Sequence, residues 1–401
     1  MHINITHLKT YRWQILALAT IGVIITMIGL GLIAHVILGI DLLPAFLLGA
    51  VLAATDPGAV IAITRGLEVL KPGALTVVEA ESAFNDATSI VLTSMLIGVA
   101  LGSQFSALGF FSEFARLFFG GMLMGFGVSL ISVELITRLG LTEHMDYLSI
   151  VIFFAAWTLA EMPPFRTSGV TSVVIAGMVM AAYMEVRMSH LEWKAVTDIW
   201  EHIAFLSEVL IFLVLGSYIS LSMVRSYILE ALVITAAMML LARPLAVYTS
   251  TINSTLTSKE KLFIVAVGAR GAIPAAMAGL AVARQVVEAE RIFGITMTAV
   301  VISLVVVSII AKPVSVRTLG VRRLSPWVEK YYEKVAKLHS YRRILRELDA
   351  MYRDGAIDLV TYNLLRREYE ASYRTLEEEL GNIDEIPEIR ELREEELKII
   401  K

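Results

Sequence analysis

Two carboxylates stand in stretches that are otherwise apolar. Asp56 is the only charged residue in 42–64, within Ala54-Thr55-Asp56-Pro57-Gly58. Asp86 lies in 75–101, together with Glu79, Glu81, Ser82 and Asn85. Ser82 and Asp86 are four residues apart and share a helical face, with Asn85 beside them. Glu81 lies off that line. Pro57 has no N–H and Gly58 is flexible, so a helix through this segment opens, freeing carbonyls next to the Thr55 hydroxyl. Thr55, Asp56, Ser82 and Asp86 would then form an all-oxygen set. Such a set suits sodium or lithium and holds zinc, copper or iron poorly. The plainer reading of Asp56 is a structural hydrogen bond at a proline kink. Glu79, near a span end, reads as a carboxylate reaching the membrane surface.

Two arginines complete the pattern. Arg243, in Ala242-Arg243-Pro244, falls within 227–249, and Arg270, in Gly268-Ala269-Arg270-Gly271, within 261–283. A buried arginine needs a carboxylate or free helix-end carbonyls. Glu81 has no other evident duty, so a Glu81–Arg243 ion pair is expected; the alternative for Arg243 is snorkelling to the nearby membrane surface. Gly268, Gly271 and Pro274 make this a second breakable helix with Arg270 at the break. One broken helix early and one late is the pattern of a transporter built from inverted repeats. Glu208, His35 and Glu134 read as packing or interfacial residues. Gly120, Gly121, Gly125 and Gly127 read as close helix packing.

The elements that must position these groups follow from composition. The 401-residue chain is 57% hydrophobic and 18% charged, with no cysteine. The first 311 residues carry 36 charges, and the last 90 carry another 36. So much apolar sequence excludes a soluble enzyme and calls for many membrane spans in an all-α chain. The absence of cysteine excludes disulfides, thiol catalysis and cysteine-held metal. No basic patch interleaved with aromatics points to nucleic acid. Ten spans are expected, at 13–40, 42–64, 75–101, 108–137, 146–162, 167–184, 199–221, 227–249, 261–283 and 292–311. The first is too long for a signal core and reads as retained. Thirteen lysines and arginines fall on one side of this arrangement and five on the other, which puts both termini in the cytoplasm. Residues 185–202, with Trp193 and Trp200 among charges, predict a short interfacial helix. The expected domains are 1–311 in the membrane and a soluble helical tail at 312–401. Ser325-Pro326 starts a helix, Asp354-Gly355 makes a turn and Gly381 a stop, giving a helical hairpin.

With these residues in order, the chain resembles the sodium/proton antiporters of the NhaP/NHE branch of the cation/proton antiporter superfamily. ATDPGAV (54–60) is similar to that family's broken-helix motif, and VEAESAFNDATSIVL (78–92) to its Glu-Ser…Asn-Asp helix. LARPLAV (241–247) and GARGAIP (268–274) are similar to its two late arginine motifs. The resemblance covers about residues 10–311. It implies an NhaA-like inverted-repeat fold with a core and a dimerisation domain. It also implies a homodimer in the cell membrane, exchange rather than enzyme chemistry, no cofactor, and a part in pH homeostasis. Asp86 would be the main cation/proton carboxylate, with Asp56, Thr55 and Ser82 as co-ligands of Na+. Glu81 and Arg243 would be the structural ion pair, Arg270 the support at the late break, and Asn85-Asp86 the mark of electroneutral exchange. The family usually has about three further spans ahead of this stretch, so the chain is expected to lack them, together with an acidic residue the family can place there. Asp86 would bind a proton or a cation, never both, and release about one proton per cation. The rival readings are a potassium/proton exchanger, a cation channel and, remotely, an intramembrane aspartyl hydrolase.

Overall fold

In the computed structural model the described residues are 5–56, 67–68, 72–103, 106–141, 144–187, 190–319, 322–323, 326–353 and 357–383. Contacts divide the chain into two compact units, Met1–Arg65 with Val69–Val321, and Gly66–Glu68 with Arg322–Lys401.

The first unit is built of helices joined by short non-helical segments. Helix α1 (Ile5–Ala17) runs through a π turn (Leu18–Gly22) into α2 (Val23–Leu38), which ends on the left-handed Gly39. Then come α3 (Leu42–Val51), α4 (Pro72–Ala100), α5 (Ala107–Leu139), α6 (Met145–Glu161), α7 (Gly169–Arg187) and α8 (His190–Tyr218). Helix α9 (Leu221–Ala237) passes through a second π turn (Met238–Ala242) into α10 (Arg243–Ser250). The series closes with α11 (Ser258–Ala266), α12 (Ala272–Ala283) and α13 (Ala289–Leu319). Local chemistry sets the ends. Ser106 and Ser220 accept N–H bonds at the starts of α5 and α9, and Thr257 with Glu260 forms a capping box on α11.

Six helical stretches are long and apolar enough to cross a membrane: Thr10–Leu38, Gly73–Ala100, Ala107–Leu139, Val196–Tyr218, Leu221–Ser250 and Ala289–Ala311. Shorter apolar helices at Leu42–Val51, Gly169–Met184 and Ala272–Ala283, with α6, occupy the remaining expected spans. The chain is thus a polytopic all-α membrane protein.

A repeat is visible in the order of elements. A long helix with a π turn, a segment whose helix stops midway and an unbroken long helix occur first as α1–α4 and again as α9–α13. Four spans, α5–α8, lie between the two triplets, so each element recurs seven spans later and crosses the membrane in the opposite sense. Their inner faces share one apolar cluster that includes Leu30, Leu48, Leu92, Ile234, Ala278 and Ile295. A second cluster joins α5–α8 through Val128, Ile152, Ala176, Met180 and Val196. Helices α5 and α7 touch at backbone distance. A Cβ on Gly121 would lie 2.5 Å from the Ser168 carbonyl oxygen, and one on Gly125 only 2.1 Å from that of Ser172. Gly127 meets nothing within 4 Å and takes no part in this packing.

Two local expectations change. Residues 185–202 do not form a separate interfacial helix, because α8 begins at His190 and continues through the next span. Trp200 instead turns inward, donating from Nε1 to Ser149 Oγ at 2.9 Å and contacting the Phe153 ring. Helix α13 runs past residue 311 to Leu319 with Pro313 inside it.

The second unit holds a two-residue antiparallel pairing, Leu67–Glu68 with Arg322–Arg323, and two helices, α14 (Pro326–Arg353) and α15 (Leu359–Ile383). The helices are antiparallel. Arg342 donates to the Tyr373 hydroxyl, Lys334 pairs with Glu379, and Arg366 and Tyr362 both reach Asp349. Leu348 is buried between them. Helix α15 continues through Gly381 to Ile383, since one glycine costs only about 1 kcal/mol in a helix. The turn at Asp354-Gly355 lies outside the described residues.

Asp358 caps α15. Its carboxylate accepts from the N–H groups of Val360 and Thr361 at 2.8 and 2.9 Å and from the Thr361 hydroxyl at 2.8 Å. The Thr361 bonds, first among these, hold it below its ordinary pKa. A depressed carboxyl contributes stability above its unfolded value and loses it as pH falls through the folded value. At neutral pH, Asp358→Ala should therefore speed amide hydrogen exchange at Val360 and Thr361 several-fold. The difference from the unmodified chain should begin to shrink as pH falls below about 4 and vanish only below the depressed folded value.

Candidate cation site

The site lies where the non-helical stretches that follow α3 and α11 meet. Helix α3 stops at Val51, and residues 54–56 are non-helical. Helix α11 stops at Ala266, and the chain stays non-helical until Ala272. The two breaks join in an antiparallel bridge in which the Asp56 N–H donates to the Ala269 carbonyl at 2.8 Å. The free C-terminal end of α3 is held by Arg270, whose Nη1 donates to the carbonyls of Ala53 and Ala54 at 3.0 and 2.9 Å. Arg270 is fully buried; its Nε faces Met238 Sδ at 2.9 Å, and its backbone N–H donates to Ser303 Oγ at 3.2 Å.

Helix α4 lies across both breaks and presents the remaining polar groups. Ser82 Oγ donates to the Thr55 carbonyl at 2.5 Å. Asn85 accepts from the Thr55 N–H at 3.3 Å, and donates to Thr55 Oγ1 at 2.5 Å and to Glu81 Oε1 at 3.0 Å. Glu81 in turn receives both ends of the Arg243 guanidinium, at 2.6 and 2.8 Å. This ion pair is buried, with Glu81 only 1% exposed, and Arg243 also donates to the Ile264 carbonyl. Snorkelling of Arg243 is thereby excluded.

Asp56 and Asp86 differ from this closed network, because both are half-buried while Thr55, Glu81, Ser82, Asn85, Arg243 and Arg270 are buried. The charges acting on Asp86 are the carboxylates of Asp56 and Glu81 and the guanidinium of Arg270. Three carboxylates thus face two guanidinium groups, leaving one formal negative charge. Asp56 sits against Gly271, the residue ahead of α12, where the positive end of a helix dipole favours a carboxylate. The room is made by absence. A Cβ on Gly271 would lie 1.8 Å from Asp56 Oδ2, and one on Gly268 2.9 Å from Arg243 Nε.

The structure therefore brings Thr55, Ser82, Asn85, Glu81 and Arg243 into one bonded chain, with Arg270 beside it and the two aspartates at its open edge. Pro57 lies outside the described residues, as does the side chain of Glu208. His35 bonds the Ile40 carbonyl and Glu134 pairs with Arg138, each near a helix end. Groups without a sequence signal also take part. Met238 and Ser303 look like ordinary apolar-helix residues, and the carbonyls of Ala53 and Ala54 belong to no motif. Gly268 and Gly271 suggest a break but do not reveal which side chains they admit. Among the described residues no group of three or more His, Cys, Asp or Glu could hold a tightly bound metal. The oxygens at the open edge are the carboxylates of Asp56 and Asp86, next to the bonded hydroxyls of Thr55 and Ser82.

The model of the family described as "Sodium/hydrogen exchanger, transmembrane" matches residues 1–317. The chain is 29% identical to the Na(+)/H(+) antiporter 1 of Methanocaldococcus jannaschii, over 69% of this chain and 65% of that protein. It is 29% identical to the Na(+)/H(+) antiporter ApNhaP of Aphanothece halophytica, over 98% and 76%. It is also 30% identical to the K(+)/H(+) antiporter NhaP of Alkalimonas amylolytica, over 72% and 49%. The chain thus spans about two thirds or less of the length of the first and third of these. The solved structure of the sodium proton antiporter MjNhaP1 of M. jannaschii at pH 8 superposes with a TM-score of 0.69 at 26% identity, over 79% of this chain and 81% of that one.

Removing one partner of a buried ion pair strands the other, at about 3–5 kcal/mol, whereas apolar replacement of both is often neutral. Glu81→Gln and Arg243→Met should each lower the melting midpoint of the detergent-solubilised protein. Together they should cost clearly less than the sum of the two, which a double-mutant cycle by thermal unfolding will read.

Proposed function

We propose that this chain, which belongs to the sodium/hydrogen exchanger family, exchanges a monovalent cation for a proton across a cell membrane, with Asp86 as the exchanging carboxylate. The observation that carries this reading is the pair of half-buried aspartates at the edge of an otherwise closed polar network with one unbalanced negative charge. One proton brings the cluster to neutrality, and so does one monovalent cation. Both together would leave a buried positive charge, so the two compete for Asp86 and the exchange is electroneutral. Asp56, with the hydroxyls of Thr55 and Ser82, supplies further oxygen ligands, and Asn85 ties Thr55 to Glu81. The Glu81–Arg243 pair and Arg270 hold the broken helices open without entering the exchange.

The repeat architecture supplies the transport step. The six-span body that contains the site moves against the α5–α8 bundle and opens the aspartates to one side and then the other. We place both termini in the cytoplasm on the lysine and arginine asymmetry of the loops, and the working unit as a homodimer.

Sodium, with lithium, is the first cation to test. Potassium is the second reading, favoured by a relative named as a K(+)/H(+) antiporter. In proteoliposomes with an imposed cation gradient, sodium, lithium and potassium should drive proton flux with different half-saturation. Asp86→Asn should abolish the flux while melting like the unmodified protein. Sodium-driven proton movement that persists in Asp86→Asn defeats the assignment. Asp56→Asn should raise the half-saturating cation concentration, and an unchanged value returns Asp56 to the role of a kink-stabilising residue.

A further inference from the structure

Arg270 is a fully buried cation held by neutral groups. Two carbonyls take its Nη1, Met238 Sδ faces its Nε, and among the described residues Nη2 has no hydrogen-bond partner. Glu81 and Asp86 act on it from beyond ion-pair distance, and Glu81 is already engaged by Arg243. A guanidinium in such surroundings gains most by closing on a free carboxylate in a charge-assisted, forked contact. Asp86 is that carboxylate, and an Arg270–Asp86 pair would occupy the group that the cation needs.

The guanidinium is planar, so fixing Nε and Nη1 fixes the direction of the whole fork. Ala53 and Ala54 fix Nη1. Met238 fixes Nε from the opposite helix and is itself only 1% exposed. We propose that Met238 is a positioning residue, whose thioether holds the Arg270 guanidinium on the Ala53 and Ala54 carbonyls and so keeps Asp86 open to the transported cation. The proposal rests on the exchange reading of Asp86 and adds to it what keeps the site vacant between cargoes.

The π turn explains how one helix serves both arginines. Met238 and Arg243 bound the turn, five residues apart. In a regular α-helix that spacing places side chains about 140° apart. An i→i+5 turn brings them back toward one face. Met238 can then reach Arg270 while Arg243 reaches Glu81, with Ala242 and Met238 packed in the same core.

The test uses the full chain in detergent, with the cation-dependent rise of the melting midpoint as the measure of binding. This signal requires binding but not transport. Met238→Leu keeps the volume and removes the acceptor, a change that cores tolerate well. Met238→Gln returns an oxygen acceptor to the same reach. With NaCl and KCl titrated against choline chloride, Met238→Leu should raise the half-saturating concentration of the stabilising cation about tenfold, with the salt-free midpoint within a few degrees of the unmodified chain. Met238→Gln should restore most of the affinity. An unchanged half-saturation in Met238→Leu overturns the proposal, as does a salt-free midpoint that falls without any change in cation affinity, since that is the mark of packing alone. No restoration by Met238→Gln also overturns it. Proton flux measured separately on the unmodified protein tests the exchange reading, so the two failures remain distinct.

Discussion

Breaking a helix inside a membrane frees carbonyls that no bulk water can satisfy, at several kcal/mol for each group left bare. Arg270 meets this cost here, and the rest of the site depends on it. With its guanidinium on Ala53 and Ala54, the chain can leave α3 as a non-helical stretch and bridge to Ala269 through the Asp56 N–H. That bridge aligns the two breaks. The alignment brings Thr55 under α4, where Ser82 and Asn85 hold it, and Asn85 passes the connection to Glu81 and Arg243.

The two arginines divide their work. Arg243 is matched by a carboxylate in bidentate geometry, so most of its charge is offset where it stands. Arg270 is matched by carbonyl dipoles and a sulfur, so its charge remains felt by Asp86. A buried ion pair of the first kind contributes little net stability against an apolar replacement. Its value here is geometric, since it fixes α4 against α10 and α11 where the breaks must register. An unmatched arginine of the second kind is costly, but it offsets part of the negative charge concentrated at the aspartates. The fold that carries these groups is similar to that of MjNhaP1, with a TM-score of 0.69.

Much of this was legible in the residues. Charges are so unfavourable in apolar spans that Asp56, Glu81, Asp86, Arg243 and Arg270 identify themselves, and Glu81, with no other evident duty in the sequence, points to Arg243 as its ion-pair partner. The i, i+4 spacing of Ser82 and Asp86 and the glycines around Arg270 mark the helix face and the break. What remained hidden has no composition signal. Met238 is one of many methionines in apolar helices, and only the π turn, which depends on packing rather than residue type, aims it at Arg270. The inward turn of Trp200 was obscured by flanking charge that mimics an interfacial helix. The continuation of α13 through Pro313 was masked by a residue that usually ends helices.

The single unbalanced charge of the cluster has an electrical consequence. A membrane potential of 100 mV does about 2.3 kcal/mol of work on each elementary charge carried across. A cluster that returns to neutrality with either cargo gives that potential nothing to act on in either loaded crossing. Such a body reads only the two concentration ratios, and it turns over at the same rate in an energised membrane as in a depolarised one. On the proposed exchange reading, the count of three carboxylates and two guanidinium groups thus decides which of the cell's energy stores such a site can draw on.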